Sequence, residues 1–453
     1  MKITERFYSR MPIFIQNILI SLYGLKLIFE RYGRTYKKYK RELRKIYSFS
    51  KEQLIDYQRE HLIKFLNYSK QRSIFYKEYY KDIDININCV TELKKLPILT
   101  KELLRENIDK IRIVKLNAIK GRTGGTTGKS LTVYFTKQDF QRRMAELDFF
   151  REMHGFKHRM KRATFSGKSI IPEKDVNSNI FWRDNYFLNQ RFYSTFHLND
   201  NNLPFYVQNL NKFKPKVIDG FPSAIYEIAD FIERKNLTLD FKPIVIFATS
   251  ETVTKAIREK IERVFNCKIR NQYASSEGAP FITECSEGNL HYLMHTGVIE
   301  VFDESTNEVL VTSFTTHGTP LIRYKIGDCI EFSDQQECNC GLQFPIVKSI
   351  QGRSTDFLFS PERGKINSAN LSNVFKSIPY SIKKVQFIQE QIDSIRVKLV
   401  IDRSKFKNEH LEHIQEELRA RLGLNINIKF EIVDEISREP SGKHRFIINK
   451  LEI

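Results

Sequence analysis

A chain of 453 residues is longer than one ordinary hydrophobic core serves, so a large domain with a smaller companion is expected. Its 41% hydrophobic and 28% charged residues exclude a wholly disordered chain, and six unevenly placed cysteines exclude a disulfide framework, which points to a reducing, cytoplasmic setting. Lys and Arg outnumber Asp and Glu by 74 to 54, a formal net charge of +20, so the surface attracts anions, whether nucleotides, phosphorylated substrates, nucleic acid or acidic membrane.

Near the start, PIFIQNILISLYGLKLIF (Pro12 to Phe29) is apolar, but Gln16, Asn17, Ser21 and Lys26 interrupt it. It falls short of the roughly 20 apolar residues of a membrane span, and no small-residue cleavage site follows. A buried or surface-lying helix is predicted. The basic run RYGRTYKKYKRELRK (Arg31 to Lys45) is either a solvated helix face or a peripheral contact with an anionic membrane surface.

Residues 51–115 read as helices joined by short turns, with Leu54, Tyr57, His61 and Leu62 at helical spacing and no visible chemistry. A helix over Lys137–Met153 leads to a stretch holding Phe181, Trp182, Tyr186, Phe187, Phe192 and Tyr193, whose bulk favours packed core over substrate pocket. From residue 216, KVID, PSAIYEIADFIERK, PIVIFATS, VTKAIREKIERVF and KIRNQY alternate strand and helix. A parallel sheet is predicted, with ATS (248–250) and NQYASSE (271–277) on the ligand-binding rim at the strands' carboxyl ends. VQFIQ, SIRVKLVI, a helix carrying Leu411, Ile414, Leu418 and Leu422, and the alternating INIKFEIV form a separate C-terminal unit. The expected division is 1–352 and 353–453.

GRTGGTTGKSLTVYFT (Gly121 to Thr136) is the most informative segment. Its glycines let the backbone approach an anion, Thr123, Thr126 and Thr127 offer hydroxyls, and Lys129 adds positive charge. It is not a Walker loop, because Thr123 stands where that pattern requires glycine; alone, it also reads as a plain hairpin turn.

With the motifs that follow it, the segment resembles the adenylate-forming superfamily of acyl-CoA synthetases, adenylation domains and luciferase-like enzymes. NQYASSEG (271–278), RYKIGD (323–328), GRSTDFL (352–358) and REPSGKHRF (438–446) resemble that family's later motifs, in order. QNILISLYGLKLIFERYG and TTHGTPLIRYKIGD resemble the phenylacetate–CoA ligase branch and its CapK-like capsular-polysaccharide relatives. The resemblance implies an α/β fold, with a large multi-sheet N-terminal domain and a small mobile α+β C-terminal domain. It also implies ATP and magnesium as cofactors and a small-molecule carboxylic acid as substrate.

In that scheme Thr123, Gly124, Gly125, Thr126, Thr127, Gly128 and Lys129 hold the β- and γ-phosphates, with Ser276 beside them in the nucleotide site. Glu277 binds magnesium, Tyr273 stacks on adenine, Asp328 accepts from the ribose hydroxyls, and Arg353 contacts ribose or phosphate. Lys443 bridges the carboxylate and the α-phosphate in the transition state. The sequence departs from the pattern at Thr355, where a pivot aspartate is customary beside Asp356, at Ala274 for glycine, and at Gly124 for a hydroxyl residue. Cys285, His291, Cys338 and Cys340 resemble the placement of zinc ligands in the phenylacetate–CoA ligase branch, implying a closed structural site. The acyl acceptor is coenzyme A or, alternatively, an amino sugar or other amine. No nucleic-acid module is present, so a basic, non-enzymatic binding protein is the remote alternative.

Overall fold

The computed structural model describes residues 3–83, 87, 89–122, 131–353, 357–362, 364–367, 371, 373–375, 381–439 and 442–451. Strands are numbered in chain order. β1 (Ile119–Arg122) and β2 (Thr132–Phe135) form an antiparallel pair. The next strands are β3 (Arg162–Ser166), β4 (Trp182–Asn185), β5 (Gln190–Ser194), β6 (Val217–Gly220), β7 (Val245–Ala248) and β8 (Ile269–Tyr273). They continue with β9 (Ile282–Glu284), β10 (Leu290–Tyr292), β11 (Gly297–Asp303), β12 (Glu308–Ser313), β13 (Tyr324–Phe332) and β14 (Ile346–Arg353). Strands β3 to β14 build one 12-stranded sheet in the order β11-β12-β13-β14-β10-β9-β8-β7-β6-β3-β5-β4.

The predicted strand–helix alternation is present: β6, β7 and β8 are parallel, joined by helices Pro222–Arg234 and Lys255–Phe265. Ile225, Ile228, Ala229 and Ile232 recur at helical spacing, and that face is buried against the sheet. On the sheet's other face lies helix Lys137–Met153, started by a reciprocal cap between Thr136 and Asp139. The aromatic stretch divides. Phe181 and Tyr193 join the core under the parallel strands, whereas Tyr186 and Phe187 are exposed at the turn between β4 and β5.

The C-terminal segment has a core of its own. β17 (Ile382–Gln391), β18 (Ser394–Ile401), β19 (Asn427–Ile432) and β20 (Ile447–Asn449) form a four-stranded sheet in the order β19-β18-β17-β20. Helix Asn408–Leu422 covers it through fully buried Ile414, Leu418 and Leu422. A short hairpin of β15 (Phe357–Ser360) and β16 (Gly364–Asn367) adds Leu358 and Ile366 to the same cluster.

Helix Ile13–Arg31 is surface-lying, and it is inverted: Gln16, Asn17, Ser21 and Gly24 are buried while Phe14, Ile18, Leu19, Leu22, Tyr23 and Phe29 face outward. The edge strand β4 explains this, since its outward groups need partners. Asn17 Oδ1 accepts the Asp184 N–H at 3.0 Å, Ser21 Oγ accepts the Tyr186 N–H at 2.9 Å, and Gln16 Oε1 accepts Arg183 Nε at 2.7 Å. Gly24 fits because any Cβ there would lie 2.2 Å from the Asn185 side-chain amide.

Candidate active site

A cavity of about 1210 Å³ opens where the carboxyl ends of β6, β7 and β8 meet the C-terminal unit. The predicted rim segments lie on it together, with Thr249 and Ser250 following β7 and Asn271 to Glu277 at and beyond the end of β8. Among the predicted residues, Tyr273, Ser276, Glu277, Asp328 and Lys443 all line it. They come from sequence positions that only the folded sheet and the docked C-terminal unit bring together.

Tyr273 ends β8 and Asp328 lies on β13, with β9, β10 and β14 between them in the sheet. The sheet curls enough for the Tyr273 hydroxyl to donate to Asp328 Oδ2 at 2.7 Å. A charge-assisted bond of this kind fixes both groups, leaving an aromatic ring and an oriented carboxylate on one wall. Arg353 stands opposite Asp328 in the β13–β14 register. Glu277 is 3% exposed yet reaches the cavity.

Beside Lys443, the Glu439 carbonyl accepts the Gly442 N–H at 2.7 Å and the Lys443 carbonyl accepts the Glu439 N–H at 3.0 Å. Gly442 has φ +78, and a Cβ on it would lie 2.5 Å from Gly167 Cα and 2.7 Å from Thr195 Oγ1. Only glycine permits both the backbone conformation and this approach to the large domain. Arg438 donates to the Gly442 carbonyl at 3.1 Å within the C-terminal unit and completes the docking by pairing with Glu227, which Lys384 also meets at 3.2 Å. Lys383 pairs with Asp200 at 2.7 Å. The ammonium of Lys443 then lies 6.0 Å from the centroid of the Phe221 ring.

Several cavity residues escaped the sequence reading. Glu251 lies just beyond β7 and accepts from the Ser223 N–H at 3.0 Å and its Oγ at 3.1 Å, at the start of helix Pro222–Arg234. Burial pushes its carboxyl pKa up, opposed by the bonds from Ser223 and by the charges of Arg438 and Lys443. Its place at the carboxyl end of a parallel strand was the available signal. Phe140, Arg143, Met144 and Leu147, from one helix, and Phe281 form another wall. Arg143 is pinned by the carbonyls of Gly278 and Ala279, each at 3.0 Å, and burial lowers its pKa to about 10. Nothing in the sequence separated these from ordinary core residues. His444, also on the cavity, is lowered by burial to about 4, so it is neutral at physiological pH.

Thr123, Gly124, Gly125, Thr126, Thr127, Gly128 and Lys129 lie outside the described residues, as do Thr355, Asp356 and the side chain of Arg353. The strands flanking the glycine-rich segment pair with Arg122 opposite Thr132. Their stem abuts the rim, because a Cβ on Gly121 would lie 2.6 Å from the Ser276 carbonyl oxygen.

Cys285, His291, Cys338 and Cys340 form a second cluster, none of them lining the cavity. Cys285 follows β9, His291 lies on β10, and both remaining cysteines come from the connection between β13 and β14. One ligand atom from each lies within 4.8 Å of the others, with the Cys285 and Cys338 sulfurs 3.8 Å apart and Cys340 Sγ 3.4 Å from His291 Nε2. A tetrahedral zinc with arms of about 2.3 Å to sulfur spans sulfurs about 3.8 Å apart, so the donor set and spacing fit that ion. His291 Nδ1 meets the Phe344 carbonyl at 3.0 Å, which turns Nε2 toward the cysteines.

Residues 358–450 match the family described as the CapK C-terminal domain. The whole chain is 40% identical over 450 residues to Protein CapK of Staphylococcus aureus, covering 98% of this chain and 99% of that one. Its fold is similar to that of a 2-hydroxyisobutyryl-CoA ligase in the postadenylation state in complex with R3-HIB-AMP: the TM-score is 0.71 at 14% identity, covering 90% of this chain and 92% of that one. Against the same ligase with 2-HIB-AMP and CoA in the thioesterification state, the TM-score is 0.54 at 15% identity, covering 90% and 92%.

Proposed function

The chain belongs to the CapK family, and from that premise we propose that it is an AMP-forming carboxylate ligase, passing its acyl group through an acyl-adenylate to the thiol of coenzyme A. The observation that carries the reading is the convergence of Lys443 with Tyr273, Glu277 and Asp328 on one cavity. A carboxylate oxygen attacks the α-phosphorus of ATP, and the bond to the departing pyrophosphate breaks. The reaction brings anions together, so it needs fixed positive charge and in-line positioning.

Lys443 supplies that charge at the carboxylate and α-phosphate, where it counts most in the transition state. Asp328, oriented by Tyr273, accepts from the ribose hydroxyls, and the Tyr273 ring offers a flat face to adenine. The glycine-rich segment from Thr123 to Lys129, whose stem abuts Ser276, holds the β- and γ-phosphates, with Arg353 at ribose or phosphate. Glu277 would hold magnesium, which neutralises phosphate charge when bound. The wall of Phe140, Met144, Leu147 and Phe281 offers apolar surface to the acyl group.

We assign residues 1–352 to a large nucleotide- and acid-binding domain and 353–453 to a small domain that carries Lys443. The separate hydrophobic core of the latter supports the division. The greater similarity to the postadenylation state than to the thioesterification state of one ligase supports assigning this placement of Lys443 to the adenylation half-reaction. Zinc at Cys285, His291, Cys338 and Cys340 would fasten two loops and take no part in chemistry.

Incubation with ATP, magnesium and a panel of aryl, fatty and hydroxy acids, followed by mass spectrometry, is expected to reveal one acyl-AMP. Coenzyme A should convert it to a thioester. An amide formed with an amino sugar or another amine, with coenzyme A inert, would move the acceptor to that class, and no acyl-AMP from any acid would overturn the reading.

A further inference from the structure

Two consecutive helices near the N-terminus present opposite kinds of surface. The outward stripe of helix Ile13–Arg31 consists of Phe14, Ile18, Leu19, Leu22, Tyr23 and Phe29, with Lys26 among them. Phe14 is 62% exposed, Tyr23 56% and Phe29 69%. Apolar side chains so exposed in one row mark an interaction surface. Tyr186 and Phe187 extend the row, since the Tyr186 backbone is bonded to Ser21 and its hydroxyl meets Asn17 at 3.3 Å.

The outward stripe of the next helix, Arg34–Ile46, is cationic throughout: Arg34, Lys37, Lys38, Arg41, Arg44 and Lys45 are exposed, while Tyr36, Tyr39, Leu43 and Ile46 are buried. Its acidic residue, Glu42, is turned aside to accept from the Tyr57 hydroxyl at 3.0 Å. Tyr36, Lys37, Lys40, Arg41 and Arg44 border a surface recess of about 430 Å³. Both helices pack on helix Lys137–Met153.

We propose that this pair of helices docks the protein on the surface of an anionic lipid bilayer, the apolar stripe entering the acyl boundary and the cationic stripe meeting lipid phosphates. Charge complementarity selects this occupant. A second copy of a chain with a net charge of +20 would bring the same cations to the contact, and a neutral apolar partner would leave the cationic stripe without a counterpart. The helix lies on the bilayer and does not cross it, because Gln16, Asn17 and Ser21 tie it along strand β4. Apolar insertion plus a polybasic stripe is the two-signal combination that stable peripheral anchoring requires.

The test is sedimentation of the full chain with vesicles of phosphatidylcholine alone or with phosphatidylglycerol added. The protein is expected to sediment with the anionic vesicles and to be released by salt. A Phe14→Ser, Leu22→Ser, Phe29→Ser variant and a Lys37→Glu, Lys38→Glu, Arg41→Glu variant should each lower vesicle partitioning about tenfold or more. Because these side chains face outward, circular dichroism and melting should match wild type. Should the apolar variant fold poorly, Leu22→Cys carrying an environment-sensitive fluorophore should shift to the blue on anionic vesicles. Absence of vesicle binding at low salt, binding indifferent to lipid charge, or a solution dimer that the apolar variant dissolves would overturn the proposal.

Discussion

The cavity and the cysteine–histidine cluster are both gathered from distant parts of the chain, but they are held in different ways. Around the cavity, two units with separate hydrophobic cores meet through ion pairs, the close approach of Gly442 and a few hydrogen bonds. The cysteine–histidine cluster joins loops of one sheet, its partners spaced for a closed tetrahedron. Polar contacts across an interface can be broken and remade at modest cost, whereas a metal clamp is expensive to open. On the proposed function, a lysine presented for one half-reaction would suit the first construction, and a zinc-held loop fastener the second.

That contrast predicts different consequences for damage to each region. The largest effect is expected for Lys443→Ala, which should lower adenylation by about 10²- to 10³-fold while leaving the melting temperature unchanged. Removing zinc with a chelator, or Cys338→Ser, should do the reverse, lowering the melting temperature by about 5 °C or more. Metal analysis should return one zinc per chain before chelation, and activity per folded molecule should be largely retained. Equal loss of stability from both lesions would erase the distinction.

A smaller effect is expected at the interface. Glu227→Gln leaves Arg438 and Lys384 without their shared carboxylate and should cost roughly 1–3 kcal/mol of docking. Adenylation should fall by about tenfold, with protease susceptibility rising between the two domains more than within either. The smallest effect is expected for Tyr273→Phe, which keeps the ring and removes the bond to Asp328. Loss of about 1 kcal/mol should raise KM for ATP roughly fivefold with little change in kcat.

Much of this fold was legible in the sequence because side-chain periodicity reports which face of an element is apolar. Ile225, Ile228, Ala229 and Ile232 identified one helix, and Leu411, Ile414, Leu418 and Leu422 another, and both turn those faces to their cores, with Leu411 half-buried at the edge of its own. Periodicity does not say which face is covered. Helix Ile13–Arg31 has polar and apolar sides like the others, but the unpaired edge of β4 captures the polar side. The aromatic stretch misled in a related way, since Tyr186 and Phe187 sit on a turn next to that edge and join neither core nor cavity.

The cavity lining was legible where its residues stand in linear motifs, as do Tyr273, Glu277, Asp328 and Lys443. It was illegible where it depends on partners far apart in sequence. The Glu227–Arg438 pair, the Tyr273–Asp328 bond and the Glu251–Ser223 contact each require the sheet to curl or the C-terminal unit to dock before the residues meet.

ATP–pyrophosphate exchange, measured across the acid panel with wild type beside Lys443→Ala and Glu277→Ala, tests the central claim most directly. Exchange that depends on one acid and disappears in both variants is the predicted result. Exchange that persists without acid, or that survives Lys443→Ala undiminished, would contradict the assignment of this cavity to carboxylate adenylation.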